Sequence, residues 1–126
     1  MSNLETNKAT VRAYYETAFA GQPELAVERY LGDRYIQHNP QADNGPAAFI
    51  RFVHELRSQN PELRLDIKRI FADGDFVITH SNLILKPGDG GLALADFFRL
   101  EKGKVVEHWD VIQPVPEKSA NQNTMF

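Results

Sequence analysis

After Pro61 the spacing of apolar residues changes from the helical period to strict alternation, and it never changes back. Leu63, Leu65 and Ile67 alternate with Arg64, Asp66 and Lys68, and then the phase slips by one residue at Lys68-Arg69-Ile70. A slip of one residue inside a strand is what a β-bulge produces, and bulges bend sheets. Asp73-Gly74 is a hairpin turn signal. A strand over Phe76–Lys86 follows, then a turn at Pro87-Gly88-Asp89-Gly90-Gly91, a strand over Leu92–Leu100, a turn at Glu101-Lys102-Gly103 and a last strand over Lys104–Gln113. Turns this short leave no room for crossover helices, so consecutive strands must run as an antiparallel meander.

Everything before Pro61 reads as helix, with one short extended interruption. Val11, Tyr14, Tyr15, Ala18 and Phe19 recur at helical spacing in a first helix over Asn3–Ala20, and Gly21 can adopt the left-handed conformation that ends it. Pro23 suits the first turn of a second helix running to Leu31, with Gly32 as its stop. Tyr35–Asn39 is a short extended stretch closed by Pro40. Asn44-Gly45-Pro46 then opens a third helix whose stripe of Phe49, Phe52, Val53 and Leu56 faces a sheet. Helices first and a bent meander second specify an α+β fold: a cone-shaped barrel in which a strongly bent antiparallel sheet packs on three N-terminal helices. Its open mouth is a natural pocket.

With 126 residues, the chain fits one domain spanning 1–126 and has enough length for a hydrophobic core. It has no cysteine, which excludes disulfides, thiolate nucleophiles and thiolate metal sites. A net charge of −3 without a Lys/Arg cluster argues against nucleic acid as a partner. No apolar run is long enough for a membrane span, and the first residues lack the blocks of a signal peptide. A cytoplasmic protein that takes a small-molecule ligand in its cone is the plain expectation.

Polar side chains on the core-facing side of a strand need a reason to be there. If Glu101-Lys102-Gly103 is a three-residue loop, Leu100 sits opposite Lys104, Phe98 opposite Val106 and Asp96 opposite His108. One face then carries Leu94, Phe98, Val106 and Ile112 together with Asp96, His108 and Asp110, two carboxylates and an imidazole in an apolar surface. A two-residue turn at Lys102-Gly103 would instead place Asp96 beside Trp109, and the alternative to the cluster is a solvent-side His108 and Asp110 with Trp109 pointing into the core. His80 and Asn82 form a second polar pair at spacing two, compatible with either face. His38 stands just before a loop rich in Asn, Asp and Gly, where a loop-capping role competes with a place in a pocket. These histidines and aspartates are also a metal ligand set by type, but no compact motif such as H-E-x-x-H gathers them. Ser81 lacks a nucleophile elbow, and the glycines of Gly88–Gly91 lie between strands, not before a helix.

The segment Asp96-Phe97-Phe98-Arg99-Leu100-Glu101-Lys102-Gly103-Lys104-Val105-Val106-Glu107-His108-Trp109-Asp110 resembles the closing hairpin of SnoaL-like polyketide cyclases, within the nuclear transport factor 2-like superfamily. The resemblance extends to Tyr35-Ile36-Gln37-His38-Asn39-Pro40, the early helices and the ending Gln113-Pro114-Val115-Pro116. It implies a pocket between sheet and helices, a homodimer paired through the outer sheet face, and aldol-type chemistry without metal or organic cofactor. The family's base corresponds to Asp110, its pocket histidine to His108, and Asp96 to a position that is acidic in related epoxide hydrolases. No pocket tailored to a polyketide can be read in this chain.

The expected function is therefore a cofactor-free carbon-acid enzyme of the cyclase, isomerase or aldol type, acting on a small organic carbonyl compound. Asp110 is the expected base, with His108 and Asp96 as donor and orienting group; His38, His80, Asn82, Tyr14 and Phe98 are the expected substrate contacts. The alternatives are a non-catalytic dimeric binding module, or epoxide hydrolase-like or metal-dependent chemistry in the same pocket. An inward Asp96, His108 and Asp110 puts Phe97, Arg99, Glu107, Trp109 and Val111 outside, a surface suited to a second copy of the chain. The tail after Pro116 is expected to fold back, anchored by Phe126, and to help wall the pocket.

Overall fold

A computed structural model describes residues 3–126. Its elements are α1 (Leu4–Phe19), α2 (Pro23–Tyr30), β1 (Leu31–Gln37), α3 (Pro46–Gln59), β2 (Arg64–Asp73), β3 (Phe76–Ile84), β4 (Leu92–Glu101) and β5 (Lys104–Pro114). The strands form one sheet in the order β1-β5-β4-β3-β2. The meander β2 to β5 is antiparallel throughout, whereas β1 joins the far edge parallel to β5. The result is an α+β cone with a mixed, unclosed sheet. The parallel pairing follows from topology, because β1 precedes a helix and three strands before its neighbour is reached.

Two bulges bend the antiparallel meander, and the β1–β5 pairing shifts register between Leu31 and Ile36. On β2, Ile67 pairs with Ser81 and Arg69 with His80, leaving Lys68 as the extra residue where the apolar phase slips. The second lies at the β4–β5 hairpin and corrects the three-residue loop. Glu101 pairs with Lys104 across a two-residue turn, with Lys102 and Gly103 both at positive φ, 52° and 78°. Leu100 then pairs with Val105 but Arg99 with Glu107, so Val106 is the bulged residue. Turn and bulge together slide the register by two residues from the expected one: Phe98 faces His108 and Asp96 faces Asp110. A slide of two preserves which face each side chain occupies. Val105 and Val106 are consequently buried one after the other.

Gly32 does not stop α2. The helix ends at Tyr30, Leu31 is already extended, and Gly32 lies inside β1. A Cβ on Gly32 would stand 2.8 Å from Val106 Cγ1, so β1 can approach the bulge of β5 only with glycine there. The core forms where the helices cover one sheet face, joining Val11, Tyr14, Tyr15 and Phe19 of α1 to Phe49 and Val53 of α3 and to Val77, Leu94, Phe98 and Val105 of the sheet.

The tail does fold back. The Phe126 ring lies 5.4 Å from the His80 ring and 5.5 Å from Lys68 Nζ, and Arg69 Nη2 donates to the Phe126 oxygen at 3.1 Å. Those partners sit around the β2 bulge on the outer side of the sheet, so the tail does not wall the cavity described below. No helix among the described residues is long and apolar enough to cross a membrane.

Candidate active site

Alternation along β3, β4 and β5 decides which polar groups meet. Val77, Thr79 and Ser81 face inward and are fully buried, as are Asp96 and Phe98; His108 is 3% exposed. Asp96, His108 and Asp110 thus come together on the inner face, as the parity argument requires. His108 Nε2 lies 2.7 Å from Asp96 Oδ1 and 3.8 Å from Asp110 Oδ2. From α1, the Tyr15 hydroxyl reaches the same point, 2.8 Å from Asp96 Oδ1 and 3.0 Å from His108 Nε2. The second ring nitrogen, His108 Nδ1, lies 2.7 Å from Gln37 Oε1. Asn39 Nδ2 donates to both oxygens of Asp110, at 3.0 and 3.1 Å.

Two of the expected catalytic partners differ in environment. Asp96 has no exposure, and its Oδ2 has no hydrogen-bond partner, a condition it shares with Thr79 Oγ1 and Ser81 Oγ on the neighbouring strand. Asp110 lies at the rim with its side chain 10% exposed, and burial pushes its carboxyl above the usual aspartate value; the Asn39 donor and the His108 ring pull the other way. Burial likewise pushes the Tyr15 hydroxyl well above the ordinary tyrosine value, and the Asp96 carboxylate adds to the shift. Tyr15 is therefore a donor at any physiological pH.

The expected substrate contacts fare less well. His38 points away from the cluster: its ring stacks flat on Trp109, centroids 4.7 Å apart, and its Nε2 lies 2.8 Å from Glu107 Oε2. His80 and Asn82 occupy the outer parity of β3. His80 meets Arg69 and Phe126, and Asn82 Nδ2 donates to the carbonyls of Gly90 and Leu92. Tyr14 and Phe98 are inward but sealed in the core, Tyr14 donating to the Tyr35 hydroxyl at 3.3 Å and Phe98 packing edge-on against Tyr15. In their place the cavity beside the cluster is lined by Tyr15, Tyr35, Gln37, Asn39, Phe52 and Asp110, with Phe19, Ala42, Phe49 and His108 completing it. Gln37 and Asn39 escaped the sequence reading. Their signal was the alternation of Tyr35, Gln37 and Asn39 on one face, with His38 on the other.

The cavity holds only about 30 Å³. Pockets that enclose an organic ligand usually measure roughly 300–1,000 Å³, so the cavity as it stands is smaller than one that encloses an organic substrate. Asp96, His108 and Asp110 offer three donor atoms within 4.8 Å of one another, the reach of a cation. Their arrangement fits a shared proton better than a ligand set, because Nε2 is already engaged by Asp96 and Tyr15. Chemically the cluster supplies a rim carboxylate of raised basicity beside a buried imidazole–carboxylate–phenol donor group.

Residues 11–108 match the family described as the SnoaL-like domain. No curated protein matches the sequence. Among solved structures, a candidate ketosteroid isomerase from Kribbella flavida superposes with a TM-score of 0.76 at 24% identity, over 96% of this chain and 87% of that one. A candidate SnoaL-like polyketide cyclase from Jannaschia gives 0.71 at 20% identity, over 89% and 88%. TsrD from Streptomyces laurentii gives 0.67 at 21%, over 83% and 89%.

Proposed function

This chain belongs to the SnoaL-like domain family, and from that premise we propose that it catalyses proton transfer at a carbon beside a carbonyl group, as a cyclase or isomerase of a small organic substrate. The observation that supports this most is the pairing of unlike groups 3.8 Å apart, Asp110 Oδ2 and His108 Nε2. Removing a proton from carbon needs a base whose affinity for protons is raised, and Asp110 has that from burial. The enolate so formed needs a donor held in place where water is scarce, and His108 and Tyr15, both braced on Asp96, stand beside it. Neither step calls for a cofactor. The aromatic lining of Tyr15, Phe19, Tyr35, Phe49 and Phe52 favours a flat, largely apolar substrate.

Solvent deuterium wash-in tests this without knowledge of the true substrate. A panel of small enolisable ketones and β-dicarbonyl compounds is incubated with the protein in D₂O and followed by proton NMR. The reading expects exchange at the carbon beside the carbonyl, slowed about 10²–10⁴-fold by Asp110→Asn. No exchange in any compound, or equal rates in the two proteins, would remove it. The outer face is also proposed to pair with a second copy, on the grounds that Phe76, Phe97, Trp109 and Val111 border an open apolar hollow of about 440 Å³ there. A monomer in sedimentation at micromolar concentration would dispose of that pairing.

A further inference from the structure

Two amide side chains at the end of β1 are each held in one orientation by a backbone N–H, and together they fix where the protons of the site reside. The Gln37 amide oxygen accepts from the Asn39 backbone N–H at 3.0 Å. A backbone N–H can only donate, so the Gln37 amide cannot be turned over without setting two donors against each other. The same oxygen lies 2.7 Å from His108 Nδ1, and that nitrogen must therefore carry a hydrogen. Asn39 is locked by the same device: its Oδ1 accepts from the Gln41 backbone N–H at 2.8 Å, which turns its Nδ2 toward Asp110 and makes it a donor to both carboxylate oxygens.

With Nδ1 committed, the other end of the ring follows. His108 Nε2 and Asp96 Oδ1 are 2.7 Å apart, too close for two bare lone pairs. Tyr15 has one hydroxyl hydrogen and can direct it to only one of the two. A further proton must lie between ring and carboxylate, whichever of the two it sits nearer. We infer that Gln37 and Asn39 are positioning residues that set the proton inventory of the site, Gln37 holding His108 as an Nδ1–H donor whose Nε2 shares a proton with Asp96, and Asn39 holding Asp110 as an acceptor. Acid and base are then not interchangeable. The His108–Asp96 pair delivers a proton, and Asp110 takes one. His108 has no free Nδ1 with which to act as the base.

The inference deepens the acid–base reading of the same cluster and rests on it for the words acid and base, but its test requires no substrate. Nitrogen-15 NMR of the imidazole rings reports which nitrogen bears hydrogen, and the His108 signals are those missing from a His108→Asn sample. In the wild-type protein Nδ1–H is expected at every pH at which the chain stays folded. Gln37→Leu removes the acceptor, and the Nδ1–H signal should be lost. Gln37→Glu restores an acceptor for both Asn39 N–H and Nδ1, and the signal should return. A wild-type His108 that is neutral with hydrogen on Nε2 and none on Nδ1 would overturn the inference, and so would an Nδ1–H signal that Gln37→Leu leaves untouched. If Gln37→Leu does not fold, the wild-type spectrum and Gln37→Glu still decide. Should the tautomer hold while Asp110→Asn exchanges deuterium at the wild-type rate, the acid–base reading falls and the proton placement stands.

Discussion

On the inner face of the β4–β5 hairpin His108 meets Asp96 at 2.7 Å, and on the outer face His38 meets Glu107 at 2.8 Å. The contacts are alike in residue type and length. Their side chains are 4% and 0% exposed inside, against 41% and 15% outside. The consequence shows in the carboxylates. Outside, the His38 contact and then the Arg99 guanidinium, 2.8 Å away, hold Glu107 below the ordinary glutamate value in spite of some desolvation. Inside, burial outweighs the Asn39 donor and His108 and pushes Asp110 up. At Asp110 burial is the largest influence, whereas at Glu107 the His38 and Arg99 contacts outweigh it.

The largest effect that could break this comparison lies in packing. Phe98 is fully buried, edge-on to Tyr15 at 4.9 Å and 5.1 Å from the His108 ring, whereas its neighbour Phe97 is partly exposed on the other face. Phe98→Ala is expected to cost about 3–5 kcal/mol in a urea unfolding titration. Phe97→Ala should cost clearly less. Equal losses would mean that the outer face is as well covered as the inner, and the contrast between the two histidine pairs would need another cause.

What the sequence disclosed follows the same division. The β2 bulge was legible because the apolar phase itself slips at Lys68, and an alternating pattern cannot hide a missing step. The β4–β5 register was not legible, since a two-residue turn with a bulge at Val106 and a three-residue loop with Gly103 at a bulge leave the same residues facing inward. The inward set of Asp96, His108 and Asp110 came out correctly for that reason, with its pairing off by two. The parity of β3 was out of reach because both of its faces carry polar side chains, Thr79 and Ser81 inside, His80 and Asn82 outside. Gln37 and Asn39 were hidden because β1 is short and ends at Gln37, and because His38 between them, which points outward, is the more conspicuous residue type.

The next effect concerns the sign of a pH dependence. Asp110 binds its proton more tightly in the folded chain than in the unfolded one. As pH rises through the ordinary aspartate value toward the raised one, the unfolded chain ionises first, and stability falls across that window. Asparagine does not ionise. The stability of Asp110→Asn relative to wild type should therefore climb with pH over the same window, whatever fixed offset the altered bonds to Asn39 introduce. Thermal melts of both proteins from acid to neutral pH supply the difference. A flat or falling difference would mean that burial does not govern this carboxylate.

The smallest effect is its mirror on the outer face. Glu107 has a lowered value when folded, so the unfolded chain holds the proton more tightly. Its contribution is fully present above the ordinary glutamate value and is lost as pH falls through the folded one. Glu107→Gln should then be slightly less stable than wild type at neutral pH and indistinguishable from it in acid, the reverse of the slope expected for Asp110→Asn. The size is limited by solvent: exposed ion pairs contribute about 0–1 kcal/mol, and His38 is among the exposed partners. Salt screens such contacts, so the neutral-pH deficit should shrink as ionic strength is raised, while the slope for Asp110→Asn, which comes from burial, should persist. Two carboxylates three positions apart on β5 would thus titrate with opposite effects on stability. If both variants shift in the same direction with pH, or if salt abolishes the Asp110 slope as well, the two faces of the hairpin are electrostatically one surface, and the rim carboxylate loses its claim to be a base.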